Sequence, residues 1–284
     1  MSEPRTAATG APEAAPEADE RSTTLAALAA LAADTTRRPL LVALDFDGVL
    51  APLQDDPSAS RILPRGVTAL EALGGLPDDA RVRIALVSGR AMADLHALAQ
   101  VPPGTFLVGS HGAERARVTT FGLDRDVVQL SDEQADRLAA LGAQTASVAR
   151  GRDGVWVETK PTAVVVHTRL AERDVAAVAE REALEIGAEL GSGVLHGKDV
   201  VEISVLHASK GEAVTALRTE LGAAVVVYAG DDVTDEHAFA ALGADDVTIK
   251  VGTGETVARF RLATPDDVVE ALDLLATDLG APRG

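Results

Sequence analysis

The chain of 284 residues sets 26 Lys plus Arg against 44 Asp plus Glu, a formal charge of −18, with 46% hydrophobic residues, 2% aromatic residues and no cysteine. That composition excludes disulfides, thiolate metal sites and a cysteine nucleophile, and it disfavours nucleic acid and anionic membranes as partners, since both are polyanions. The core must be built from Ala, Val and Leu, and an anionic ligand would need a bound cation and a local basic cluster to invert the field around it.

Residues 1–20 are rich in Ala, Pro, Glu and Thr and contain no apolar stretch of signal-peptide type. They suggest a disordered tail over 1–24 rather than a secretory signal. No apolar run reaches membrane-spanning length, so a cytoplasmic protein is expected. An amphipathic helix is expected over 25–33, followed by a short apolar run at 40–44 that ends in Asp45. Further runs at 82–87, 106–108, 224–227 and 247–251 are continuous and β-branched, as in strands buried on both faces of a parallel sheet. Helical stretches lie between them at 65–73, 92–99, 210–221 and 236–242. Repetition of strand and helix predicts a doubly wound, Rossmann-like α/β domain.

After Glu114 the pattern changes. Strands at 154–158, 163–168 and 200–204 alternate or pair, and long helices are expected over 132–149 and 172–190. Ser131 with Gln134 spells a capping box at the first of these. Core-type strands lie on both sides of this stretch, so it reads as an inserted α+β cap over 115–204. The catalytic core is then 25–114 plus 205–284.

Ligands of doubly wound sheets bind beyond the carboxyl ends of the strands. There the sequence places Asp45-Phe46-Asp47-Gly48-Val49-Leu50, Ser88-Gly89-Arg90, Gly109-Ser110-His111-Gly112-Ala113-Glu114 and Gly230-Asp231-Asp232-Val233-Thr234-Asp235. Crowded carboxylates are costly unless neutralised, and oxygen-only ligands favour a hard cation such as Mg2+. One carboxylate can then act as nucleophile and its neighbour two residues on can move protons. Ser88 and Lys210 would hold phosphoryl oxygens. Either acidic motif alone could be a turn or a helix N-cap; four in register are hard to explain that way.

This ordered set resembles the haloacid dehalogenase superfamily, with Val49 standing where Thr is common. The resemblance implies that Asp45 attacks phosphorus and that Asp47 serves as acid and base. It also implies that Asp45, the backbone carbonyl of Asp47 and Asp231 hold magnesium, with Asp232 and Asp235 as ligands or as groups orienting them. The stretches at 109–114, 157–169 and 197–202, with the spelling of 230–236, are similar to the trehalose-6-phosphate phosphatase family. Residues 204–210 lack the Arg-Pro usual before the motif lysine. That resemblance implies a sugar phosphate as substrate, with His111, Gly112, Glu114, Glu158, Lys160, Lys198 and Glu202 around the sugar. Arg90, His167 and Arg169 complete the expected binding set, and a trehalose-6-phosphate synthase is an expected partner. Simpler roles are also open. Glu158 with Lys160, and Lys198 with Glu202, could be surface ion pairs, His167 and Arg169 could merely cover the cap sheet, and Arg90 could pair within its own helix. His196 and His207 are read as structural. The competing functions are another capped sugar phosphatase, acting on sucrose phosphate or a mannosyl phosphoglycerate, and a non-catalytic phospho-receiver or scaffold.

Overall fold

The computed structural model describes residues 15–126, 130–190, 193–197, 199–206 and 208–281. Along the chain run α1 (Ala15–Ala33), β1 (Leu40–Leu44), α2 (Pro64–Gly74), β2 (Val82–Val87), α3 (Met92–Leu98), β3 (Phe106–Gly109), β4 (Glu114–Thr119), β5 (Gly122–Arg125) and α4 (Asp132–Ala149). They are followed by β6 (Trp156–Thr159), β7 (Ala163–His167), α5 (Arg173–Leu190), β8 (Gly193–Gly197), β9 (Val200–Ser204), α6 (Lys210–Leu221), β10 (Val225–Gly230), α7 (Val233–Ala241), β11 (Val247–Val251), β12 (Phe260–Leu262) and α8 (Pro265–Asp278).

The core sheet has the order β12-β11-β10-β1-β2-β3-β4-β5. Its first six strands are parallel, and the last two add an antiparallel hairpin. Period-two geometry sends alternate residues of β1 to opposite faces. Leu40, Val42 and Leu44 pack with residues of α1, α2, α3 and α8. Leu41 and Ala43 pack with Val214, Leu217 and Phe239 of α6 and α7. Both faces are thus covered by helices, which is why the central strand β1 is apolar and buried throughout.

The second sheet has the order β6-β7-β9-β8 and is antiparallel. Val164, Val166, Val201 and Ile203 pack against α4 and α5 through Leu141, Val148, Ala179 and Ala183. The other face, which carries Glu158, Val165, Glu202 and Leu195 in one cross-strand row, turns toward the core. The fold is therefore a doubly wound α/β core with an α+β cap.

Two boundaries differ from expectation. The helix expected from residue 25 starts at Ala15, inside the expected tail. Thr24 is buried, with its hydroxyl donating to the Arg261 carbonyl at 2.8 Å, and Arg21 pairs with Asp267 at 3.0 Å and with Glu270. Docking on α8 and β12, rather than helix propensity, orders this segment. The chain also does not leave the core sheet at Glu114. A tight return after β3 sets Glu114 opposite Gly109 and Arg117 opposite Phe106, so the hairpin through Arg125 extends the core sheet and the separate module begins with α4.

Candidate active site

β1 lies between β2 and β10, and the strand order reverses there, so the residue after β1 sits at the topological switch point. That residue is Asp45. The loops after β2 and β10 reach the same edge because the three strands are parallel.

Asp45 is 4% exposed. Its Oδ1 accepts the Phe46 N–H at 2.6 Å, and its Oδ2 accepts the Lys210 ammonium at 2.8 Å. Lys210 opens α6, is equally buried, and also donates to Asp235 Oδ1 at 2.8 Å. Asp235 is saturated. Its Oδ1 also accepts the Tyr228 hydroxyl at 2.6 Å, and its Oδ2 accepts the backbone N–H groups of Asp231 and Asp232 at 2.9 and 3.1 Å. Burial, then the nearby Asp235, pushes the Asp45 carboxyl up, while Lys210 pulls it down. Burial opposes the Lys210 ammonium, but Asp45 and Asp235 outweigh it and hold its pKa above the ordinary value. The carboxylates of Asp45, Asp231, Asp232 and Asp235 outnumber the ammonium groups of Lys210 and Lys250, so the cluster remains short of positive charge.

Asp231 feels that shortage most directly, with a pKa raised to about 6 by burial and then by Asp235 and Asp232. Oxygens of Asp45, Asp231 and Asp235 lie within 4.8 Å of one another. Gly48 allows the approach: its φ is +70°, and a Cβ there would stand 2.0 Å from Asp231 Oδ2. This donor set is all oxygen, crowded and under-neutralised, so a hard divalent cation fits it. Asp235, with both oxygens already engaged, orients Lys210 and the Asp231 loop. Asp232 caps α7, accepting from Thr234 N at 2.8 Å, Thr234 Oγ1 at 2.7 Å and Asp235 N at 3.1 Å, and it stands 3.7 Å from Lys210 Nζ. Of its two expected roles, ligand or group orienting the ligands, its place outside the cluster of Asp45, Asp231 and Asp235 favours the second, because a helix N-terminus offers it unpaired N–H donors.

Asp47 is gripped by Arg90. The guanidinium donates at 2.6 and 2.7 Å to the two carboxylate oxygens and at 3.0 Å to Ser60 Oγ, and it lies 5.3 Å from the Phe46 ring centroid. The simpler alternative, that Arg90 pairs within its own helix, is not what the structure places there: Arg90 precedes α3 and pairs with Asp47. Ser88 is buried, and its carbonyl accepts the His111 N–H at 3.0 Å. Ser110 and His111 are left-handed, with φ of 47° and 55°, and Gly112 has φ of 119°. Such backbone costs about 1–3 kcal/mol per non-glycine residue; it sets the His111 ring over Gly89 at the site. Burial is the first cause of a lowered His111 pKa, and Lys210 adds to it.

Glu114 does not reach the cleft. Its Oε2 accepts Met92 N at 2.9 Å and Ser110 Oγ at 2.7 Å, so it caps α3 and braces the strained loop. In the cap, Glu158 and Lys160 do not pair with each other. Glu158 meets His167 at 2.9 Å, Lys160 meets Glu202 at 2.7 Å, and Trp156 stacks on His167 at 4.7 Å between centroids. Arg169 is exposed beyond β7, near enough for its charge to act on Asp56 of the core. Lys198 and His207 lie outside the described residues. His196 pairs with Glu180 at 3.2 Å.

Two cavities meet at His111 and Lys210. One, of about 540 Å3, holds Asp45, Asp47, Ser88, Arg90, Asp231 and Asp232. The other, of about 480 Å3, lies between cap and core and includes Glu202. Tyr228 and Lys250 were not anticipated. Tyr228 is the chain's single tyrosine, in a buried strand where its hydroxyl needs a partner. Lys250 is buried and donates to the Asp231 carbonyl; a lysine inside a buried strand was a readable signal for it.

Residues 43–266 match the family profile described as Trehalose-phosphatase. Trehalose-6-phosphate phosphatase of Escherichia coli is 33% identical over 245 residues, covering 84% of this chain and 87% of that protein. An uncharacterized glycosyl hydrolase of Mycobacterium tuberculosis is 35% identical over 258 residues, 86% of this chain but only 19% of that protein, so the chain spans about a fifth of that relative's length. The crystal structure of Aspergillus fumigatus trehalose-6-phosphate phosphatase superposes with a TM-score of 0.65 at 25% identity, covering 90% of this chain and 97% of that one. With a buried Asp45–Lys210 pair, a cation-ready acidic cluster and a capped cleft at the switch point, the chain belongs to the trehalose-phosphatase family.

Proposed function

We propose that this protein is a phosphatase that hydrolyses trehalose 6-phosphate to trehalose and phosphate through an aspartyl-phosphate on Asp45. The observation that carries the reading is the arrangement around Asp45. A buried carboxylate at the switch point faces an ammonium at 2.8 Å, and two residues on stands a second carboxylate, held by Arg90. Family membership and the likeness to the Escherichia coli enzyme support the substrate.

Asp45 Oδ attacks phosphorus and the bond to the sugar oxygen breaks, with that oxygen taking a proton from Asp47. Water then attacks phosphorus and gives a proton to Asp47, the bond to Asp45 breaks, and phosphate leaves. Asp47 must come away from Arg90 to act. Arg90, freed in the same movement, is well shaped for a phosphoryl group, since its planar fork binds phosphate bidentately. Ser88 and Lys210 bind the remaining oxygens, and Lys210 pulls against the burial that raises the Asp45 carboxyl. Asp45, Asp231 and the Asp47 main chain would hold Mg2+, which supplies neutralisation of the crowded carboxylates and of the phosphoryl charge. The cap excludes water other than the attacking molecule. On the family resemblance the enzyme is cytoplasmic and receives its substrate from a trehalose-6-phosphate synthase.

Phosphate release is to be measured across trehalose 6-phosphate, sucrose 6-phosphate, glucose 6-phosphate and a mannosyl phosphoglycerate. Trehalose 6-phosphate is expected to lead in kcat/KM by at least about tenfold, roughly 1.4 kcal/mol. A flat panel, or another ester in the lead, ends the substrate assignment.

A further inference from the structure

On the proposed function the sugar ring remote from the phosphate lies in the cavity between cap and core, and we infer that Glu212 and His237, exposed on the core side of that cavity, are specificity-determining residues for that ring. The inference rests on the proposed function. A phosphoester reacting with Asp45 must place its phosphoryl group in the cavity that holds Asp45, Ser88 and Arg90. The ring bearing that group then lies at the junction, beside His111 and Lys210, which line both cavities. The adjoining space of about 480 Å3 is where a second ring can continue from there. Its size falls within the ~300–1,000 Å3 usual for small-molecule sites.

The lining suits a ring without charge. From the cap come Leu195, Glu202 and Ser204, and from the core Ser209, Glu212 and His237. Leu195 offers an apolar surface to the C–H face of a pyranose, and the carboxylates accept from its hydroxyls. Glu212 Oε2 accepts the Ser209 hydroxyl at 3.1 Å, and among the described residues its other oxygen has no hydrogen-bond partner. Among the described residues the His237 ring has no hydrogen-bond partner, so it brings a donor and an acceptor to the cavity. The two side chains are held at a set spacing. A Cβ on Gly211 would lie 2.4 Å from the His237 carbonyl oxygen, so α6 and α7 touch backbone to backbone between them. Rigid elements position hydroxyl-reading groups better than loops do.

The test compares E212Q, H237A and the double variant with the wild type. It measures kcat/KM for trehalose 6-phosphate against glucose 6-phosphate, which has no second ring, and trehalose affinity by calorimetry on the magnesium-loaded protein. Each single variant is expected to lower the ratio of the two kcat/KM values by about tenfold, and to weaken trehalose binding by a similar factor, as for loss of one hydrogen-bonding group. A ratio and a trehalose Kd both within about twofold of wild type in all three variants would overturn the inference alone. A wild type that does not favour trehalose 6-phosphate over glucose 6-phosphate defeats the proposed function first, and the inference with it.

Discussion

Asp45 and Lys210 have both been taken out of water, and each is tolerable because the other is there. The Asp45→Asn variant keeps the shape and an acceptor for Lys210 while removing the nucleophilic charge. It is expected to lose phosphate release and to retain a native circular dichroism spectrum and a cooperative melt. Full turnover in that variant would refute the nucleophile. Four donors on Asp235 explain why a motif that spells a ligand cluster contains one aspartate whose oxygens are already occupied. His111 gives the pH behaviour. Burial first, then Lys210 and Lys160, lower its pKa below the unfolded value of about 6.5, against the pull of Glu202 and Asp232. The unfolded chain therefore binds more protons in that window, and the contribution of His111 to stability, present above about pH 6.5, is lost as pH falls toward the folded pKa. Wild-type Tm minus that of His111→Gln should shrink between pH 7 and pH 5; a constant difference would show that His111 titrates alike in both states.

At the scale of elements, the cap is held by its own core and by local signals. Ser131 Oγ accepts Gln134 N at 3.2 Å, and Gln134 Oε1 accepts Ser131 N at 2.9 Å, closing the box read from the sequence at the start of α4. Replacing Ser131 with Ala should cost about 1 kcal/mol, read as a lower Tm and faster amide exchange in the first turn of α4. An unchanged exchange rate there would mean that packing against β6 and β7 alone holds that turn. The parallel strands were legible because burial on both faces leaves a continuous apolar run. The β4–β5 hairpin was not: its strands are mixed in polarity, and only pairing with β3 assigns them to the core sheet. The start of α1 was illegible for the same kind of reason, since its order comes from Asp267, Glu270 and Arg261, more than 200 residues away.

For the whole molecule the question is how a chain of charge −18 receives an anion. The cleft answers locally, gathering Lys210 and Arg90 at the phosphoryl cavity and leaving Asp45 and Asp231 to a cation. Chelation of divalent ions should abolish turnover. Restoring Mg2+ to a hundredfold excess over its Kd should raise stability by about 2.7 kcal/mol, visible in Tm; turnover that persists in chelator would exclude the metal. The sequence by itself determined the layering and the family. The order of apolar runs, the acidic residues at their ends and the lysine opening α6 are local patterns, because strand period, burial and strand-end position are local properties. Tertiary structure decided which charges meet. It gave Asp47 to Arg90, Tyr228 to Asp235, Glu114 to α3 and Lys160 to Glu202. Each of these pairs depends on which elements become neighbours, and a carboxylate takes the nearest unpaired donors that the packing offers it.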